Sequence, residues 1–347
     1  MKLNHLALTL TIASAVPAAA IGVTDFSPER LSYDYLTTNM EQSNEGHLLD
    51  ALSSEGLVSI TDIPHFADLK KSVMSWLHSC IMDQGTDADH VLETIEKDGT
   101  IRRTFASKTM PGPNGQKDFM LKTNEQDELS PSCIKFSENL DEFRSVVGQV
   151  TRIFAERLTS EMGGGSSSYH DMPIMTTEDG SDSFKTIADI VAAGDHLEHF
   201  HSYQKIDQEE DSKNDSSSSS LRTSAGASSM NEETIDLHTD QGFFIAFAPG
   251  LMVTHNNLNK PDPNVPLWQT EGFYIEKRDG SRAHIHFGEY DDLVFMMGDG
   301  VNQYINPAIK NSRTLRATPH SVTLPAHSQN LSRAWYVISF VLTPYIL

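Results

Sequence analysis

The 347-residue chain is long enough to bury one large core or two ordinary ones. Its net charge of −22, from 26 basic and 48 acidic residues, excludes a basic face that could dominate nucleic-acid binding. The same balance disfavours anionic membranes and reads as a solvated acidic surface.

Residues 1–20 have the pattern of a secretory signal peptide: Lys2 at the positive end, a short apolar stretch over 6–16, and Ala18, Ala19 and Ala20 at the cleavage positions. The apolar stretch is too short for a membrane span, and no later run reaches the roughly 18 residues that one needs. No stable membrane insertion is therefore expected. Residues 13–18 also resemble the junction of bipartite plastid leaders, but Val16 stands where that motif keeps Phe. The acids Asp25, Glu29 and Asp34 follow, so plain entry to the secretory pathway is the favoured localisation. The two cysteines, Cys80 and Cys133, suit either a bridge or a buried free thiol. Asn214 and Asn330 begin glycosylation sequons.

After the leader, residues 21–194 read as an N-terminal helical and mixed region. A short helix is expected over 49–52 and a strand over 56–60. An amphipathic helix follows on Phe66, Leu69, Val73, Trp76, Leu77, Cys80 and Ile81, with Asp68 in its first turn. Residues 83–135 read as an acidic connection. A second helix is written by Leu140, Phe143, Val147, Val150, Phe154 and Leu158, and Gly163, Gly164 and Gly165 end it.

From residue 195 to 347 the pattern is β. Within 195–206, His199, His201 and Tyr203 share one face of a strand. Residues 207–233 form a Ser-rich insert with too few apolar side chains to offset ordering entropy. Strands are expected over 235–238, 243–248, 251–255, 272–276, 283–287, 293–297, 314–318, 322–324 and 334–342. Pro249-Gly250, Asp279-Gly280 and Asp299-Gly300 supply turn signals. Such a succession reads as a barrel or jelly roll with helical cover, a mainly β (α+β) chain.

The chemistry centres on His238-Thr239-Asp240. Residues i and i+2 of an extended chain project to one side, so an imidazole and a carboxylate stand together as two metal ligands. One more His would complete the facial set that holds Fe(II) with positions left open. Five segments then occur in order: His238-Thr-Asp240-Gln-Gly242, Gly272-Phe-Tyr-Ile-Glu276, Leu293 to Asp299, Leu315-Arg316 to His320-Ser-Val322, and Ser332-Arg333-Ala-Trp335. Their succession resembles the C-terminal half of the isopenicillin N synthase-like Fe(II)/2-oxoglutarate-dependent dioxygenases, over roughly 195–345.

The resemblance implies a double-stranded β-helix (jelly-roll) core and a non-haem iron oxygenase. His238, Asp240 and His320 would be its metal ligands. Arg333, thirteen residues after His320 (333 − 320), would bind the far carboxylate of 2-oxoglutarate. Tyr203 would reach co-substrate or substrate. Ascorbate is an accessory that the family allows. Substrates would be a small organic molecule and O₂, with hydroxylation the default and desaturation or ring closure open on the same site. Asp240 itself disfavours halogenation, because related halogenases lack that carboxylate.

Two departures stand out. Trp335 occupies the position of the family's Ser, removing a hydroxyl from the co-substrate site, and Ser321 follows His320 where Arg is common. Trp335 keeps open an iron oxidase that does not use 2-oxoglutarate, and a non-catalytic jelly-roll binding protein is the other alternative. His284 and His286 are read as structural, His255 and His327 as solvated near turns, and the thirteen methionines as core filler.

Overall fold

A computed structural model describes residues 23–38, 47–84, 91–108, 129–163, 175–176, 183–193, 196–205, 233–269, 272–288, 290–308, 313–324 and 330–340. The expected leader, nearly all of the Ser-rich insert with its sequon at Asn214, and His327 lie outside these residues. In chain order the elements begin with β1 (Thr24–Phe26), β2 (Glu29–Ser32), α1 (Tyr33–Thr37), α2 (His47–Ser54), β3 (Leu57–Thr61) and α3 (Phe66–Gln84). Next come β4 (Val91–Ile95), β5 (Thr100–Lys108), α4 (Pro131–Ser137), α5 (Leu140–Gly163), β6 (Met175–Thr176), β7 (Ser183–Phe184) and α6 (Ile187–Ala193). The β half runs through β8 (Leu197–Lys205), β9 (Ile235–His238), β10 (Phe244–Thr254), β11 (Trp268–Gln269), β12 (Phe273–Glu276), β13 (Arg282–Ile285) and β14 (Leu293–Met297). A wide helical turn (Val301–Ile305) leads into α7 (Asn306–Ala308), and β15 (His320–Val322) and β16 (Leu331–Phe340) close the fold.

Two sheets face each other. The larger runs β2-β3-β14-β10-β16-β8-β5-β4, with β11 attached to β10, and the smaller runs β1-β13-β12-β15-β9. Alternation along β3, β14, β10, β16 and β8 of the larger sheet sends side chains into two cores. On β16, Ala334, Tyr336, Ile338 and Phe340 pack beneath the helices, while Trp335 and Val337 enter the space between the sheets. The helix-side core is fastened by α3 and α5, whose buried positions recur at three and four: Phe66, Leu69, Val73 and Leu77, then Phe143, Val147, Val150, Phe154 and Leu158. Phe154 stacks on Phe295 of β14 at 3.9 Å between ring centroids, which docks α5 on the sheet. Cys80 and Cys133 form a disulfide joining α3 to α4, with Cα atoms 4.5 Å apart. No described helix is long and apolar enough to cross a membrane.

Three local expectations are corrected. The acidic connection contains the β4–β5 hairpin, whose second strand pairs along its whole length with β8. Pro249-Gly250 is not a turn but a bulge inside the continuous strand β10. Ala248 and Leu251 face Tyr336 and Ala334, so three steps on β10 oppose two on β16. Residues 314–318 form no strand: Arg316 N–H donates to Leu52 O and Thr318 N–H to Met297 O, single bonds that tether an extended segment without a ladder.

Candidate active site

The inner face of the smaller sheet brings the ligand candidates together. β9 and β15 are antiparallel, and His238 and His320 are direct register partners with ring centroids 4.3 Å apart. His238 Nε2 lies 3.6 Å from Asp240 Oδ1, and His320 Nε2 lies 3.8 Å from Asp240 Oδ2. The Nδ1–H of His238 donates to Asp236 O at 2.7 Å and that of His320 to Thr318 O at 3.1 Å. Each carbonyl fixes the neutral tautomer whose Nε2 lone pair points at the carboxylate. Two neutral imidazoles and one carboxylate converging on one point fit a divalent iron, with open positions remaining. The site grades from buried His320 to exposed His238, leaving one flank accessible.

The turn carrying Asp240 is held from below. Asp299 N–H donates to Asp240 O at 2.6 Å, and Gly298 and Gly300 donate to Phe243 O and Gly242 O, both at 3.0 Å. Gly298 permits this approach, because a Cβ there would come within 3.0 Å of the carbonyl oxygens of both Gly242 and Asp240. Burial works to raise the Asp240 pKa, but the close His238 ring and the facing His320 imidazole outweigh it, and the carboxyl titrates below its ordinary range. Burial pushes the His320 imidazole down. The Asp240 carboxylate facing it at 3.6 Å raises that of His238. Phe273 of β12 stacks on His320 at 5.4 Å and fixes its ring.

Beside this cluster, β16 presents Arg333 in register with Tyr203 of β8. Arg333 is fully buried, and its Nε, Nη1 and Nη2 atoms have no hydrogen-bond partner among the described residues. Burial pushes its pKa down to about 10, so the guanidinium stays charged at neutral pH. An unpartnered buried cation is costly, and a carboxylate is its natural complement. Burial raises the Tyr203 phenol, opposed by the neighbouring Arg102 and Arg333 charges. Arg102 stands in register with Tyr203 on β5, a strand that sequence reasoning missed. It ion-pairs with Glu96 at 3.1 Å and adds a second positive charge to this row. His201 and His199 continue the β8 face, with ring centroids 5.4 Å apart. Burial lowers both imidazoles, and His201 Nδ1 is engaged by Thr104 Oγ1 at 2.8 Å.

Other candidates fall outside the site. His255, expected to be solvated, is buried, and its Nε2 bonds to Ser332 Oγ at 2.7 Å. His284 and His286 of the β13 segment gather around Asp25 of β1, at 3.6 Å and 2.9 Å. Register alternation puts this group on the outer face of the smaller sheet, away from the inner-face cluster. Gly272 N–H donates to His284 Nε2 at 3.2 Å, which leaves the ring proton on Nδ1 beside Asp25. The group is therefore built as a hydrogen-bonded latch between two strands. A cleft of about 430 Å³ lined by Glu276, Arg278, Asn302, Asn306 and Arg316 shares no residue with the His-Asp-His cluster.

By sequence the chain matches no family model and no curated protein. By fold it is similar to a full-length Neurospora crassa protein solved in complex with alpha-KG and thymine, with TM-score 0.53, 12% identity, and coverage of 90% of this chain and 85% of that one. It is also similar to the dioxygenase for auxin oxidation in rice, with TM-score 0.52, 11% identity, and coverage of 91% and 83%. A third is JOX2 in complex with 2OG, Fe and JA, with TM-score 0.52, 10% identity, and coverage of 94% and 78%. The double-stranded β-helix fold that the motifs imply is thus the fold this chain shares with solved oxygenase structures.

Proposed function

We propose that the protein is a non-haem Fe(II)- and 2-oxoglutarate-dependent oxygenase acting on a small organic molecule. The observation that carries this reading is the pairing of two features 13 positions apart (333 − 320) in the chain. One is a His-Asp-His cluster with its Nε2 atoms directed at one carboxylate; the other is a buried guanidinium whose nitrogens have no hydrogen-bond partner among the described residues. His238, Asp240 and His320 would hold the iron, Arg333 would bind the far carboxylate of 2-oxoglutarate, and Tyr203 would stand beside it. When bound, the iron supplies the oxidising chemistry: O₂ is consumed, 2-oxoglutarate gives succinate and CO₂, and one oxygen atom oxidises the substrate.

The chain's own residues divide the remaining work. Asp236 O and Thr318 O orient the imidazoles. Phe273 and Trp335 form the apolar wall beside the cluster and cover its buried flank at His320. The exposed flank at His238 is the side from which substrate would enter. Asp240 leaves no ligand vacancy for a halide, which favours hydroxylation, with desaturation or cyclisation on the same site.

Residues 1–20 would be a secretory leader, 21–194 an N-terminal mixed region and 195–347 the catalytic core. The Cys80–Cys133 disulfide supports passage through an oxidising lumen. The test is turnover: Fe(II)-loaded protein should convert 2-oxoglutarate to succinate with O₂ consumption, and Asp240→Ala should not. Iron-dependent O₂ consumption without succinate would favour an oxidase that uses no 2-oxo acid. Failure to bind iron at all would leave a non-catalytic jelly roll.

A further inference from the structure

We infer that Trp335 and Gly250 form a built seat for the Arg333 guanidinium, with the indole ring replacing the hydroxyl that the resembling family keeps two residues after its arginine. The inference rests on the proposed use of 2-oxoglutarate.

Arg333 Cζ lies 4.7 Å from the centroid of the Trp335 ring. A cation over an indole face is attracted by the ring quadrupole, most strongly where water is excluded, and both residues are buried. The indole is itself fixed. It stacks on Phe247 at 5.2 Å with 19° between planes, and on Phe273 at 5.8 Å with 11°. Phe273 then stacks on His320 at 5.4 Å and 15°. One continuous stack therefore runs from the guanidinium to a metal ligand: Arg333, Trp335, Phe273, His320.

The other wall of the seat is the β10 bulge. Residue 250 falls where a Cβ would come within 3.0 Å of both Arg333 Nε and Trp335 Cε3. Both are side-chain atoms packed in the interior, so any larger residue displaces the guanidinium or the ring. The Pro249-Gly250 pair thus serves as space for the seat and not as a turn. With the guanidinium oriented by a ring, its N–H groups are left to meet an anion, and Tyr203 is the adjacent group in register. A hydroxyl at position 335 is then unnecessary. Trp335 and Gly250 are positioning residues for a co-substrate with a far carboxylate.

The experiment is anaerobic titration of the Fe(II)-loaded full chain with 2-oxoglutarate, following the visible iron-to-keto-acid band and tryptophan fluorescence. Trp76, Trp268 and Trp335 are the three tryptophans. Trp335→Phe keeps an aromatic platform and should raise Kd by no more than about 3-fold, while abolishing the fluorescence response. Trp335→Leu removes the platform and should raise Kd about 10-fold or more. Trp335→Ser should weaken binding as well, although it restores the hydroxyl. Gly250→Ala tests the opposite wall and should weaken binding about 10-fold with all three tryptophans intact. Iron stoichiometry and thermal midpoint report folding for each variant, and Gly250→Ala stands in if a Trp335 variant does not fold. Wild-type Kd in Trp335→Leu and Gly250→Ala, or tighter binding in Trp335→Ser, overturns the seat alone. A wild-type protein that binds iron but no 2-oxoglutarate overturns the parent reading and the seat with it.

Discussion

His238 and His320 are direct partners in the ladder between β9 and β15, and each turns the same nitrogen, Nε2, toward Asp240. Their chain separation is 82 residues (320 − 238), yet the strand register brings their ring centroids to 4.3 Å. Because the carbonyls of Asp236 and Thr318 already fix the tautomers, the cluster is organised in advance for the proposed iron. His320→Ala or Asp240→Ala should weaken Fe(II) binding at least about 100-fold. Anaerobic competition titration against a chelator reads this directly, and folding should survive, since neither side chain belongs to the apolar cores.

Gly298 offers a test of the support beneath Asp240, the proposed metal ligand. A methyl group there meets the carbonyls of Asp240 and Gly242, both backbone atoms that cannot rotate away. Gly298→Ala should therefore shift the Asp240 turn and lower iron affinity about 10-fold or more, with a smaller effect on 2-oxo acid selectivity. Unchanged iron affinity in this variant would show that the turn is not held from β14.

Arg333 should be a residue retained at a cost to stability. Its three nitrogens are buried with no hydrogen-bond partner among the described residues, and burying an unpaired polar group costs about 1–3 kcal/mol or more. Arg333→Met, of similar length and apolar, should raise the thermal midpoint of the ligand-free protein while eliminating 2-oxoglutarate binding. Thermal melts with and without 2-oxoglutarate make the comparison. Wild-type protein should be stabilised by the acid and the variant should not.

Acid stability has a separate origin, beneath α3. His78 Nδ1 bonds to Ser202 Oγ at 2.9 Å and His255 Nε2 to Ser332 Oγ at 2.7 Å, with the rings 4.5 Å apart. Burial, with His255 and Arg103 nearby, lowers His78 to about 3, and burial lowers His255 to about 4. Both are neutral in the fold, whereas unfolded histidine protonates near 6.5. Their contribution is full above about pH 6.5 and is lost as pH falls from there toward 4 and 3. Each histidine then costs roughly 1.4 kcal/mol per pH unit. Urea midpoints at pH 7.5 and 4.5 should separate widely in the wild type and less in a His78→Gln, His255→Gln double variant. Equal separations would assign the acid sensitivity to the carboxylates instead.

The sequence made some of this legible and hid the rest for physical reasons. α3 and α5 each bury one face, so their apolar spacing announces them. His238-Thr-Asp240 is recognisable because the strand period alone puts its two ligands on one side. The β4–β5 hairpin escaped because β4 keeps only Val91 buried and leaves Leu92 to Ile95 exposed, so no alternation marks it. Arg102 went unnoticed with it. Pro249-Gly250 reads as a turn by composition, but β16 pairs with β10 both before and after it, with β14 on the other side before it and β11 after it, so β10 runs through as a bulge. His255 looked solvated beside a turn, and only its partner 77 residues away, Ser332, explains its burial.

If the His-Asp-His cluster and Arg333 together hold iron and 2-oxoglutarate, anaerobic addition of 2-oxoglutarate to the Fe(II)-loaded protein tests that most directly. The expected result is a visible iron-to-keto-acid band that saturates with one equivalent bound, is absent in Asp240→Ala, and requires much higher 2-oxoglutarate in Arg333→Gln. Iron-loaded wild-type protein that develops no such band, or an Arg333→Gln protein that titrates like the wild type, would contradict it.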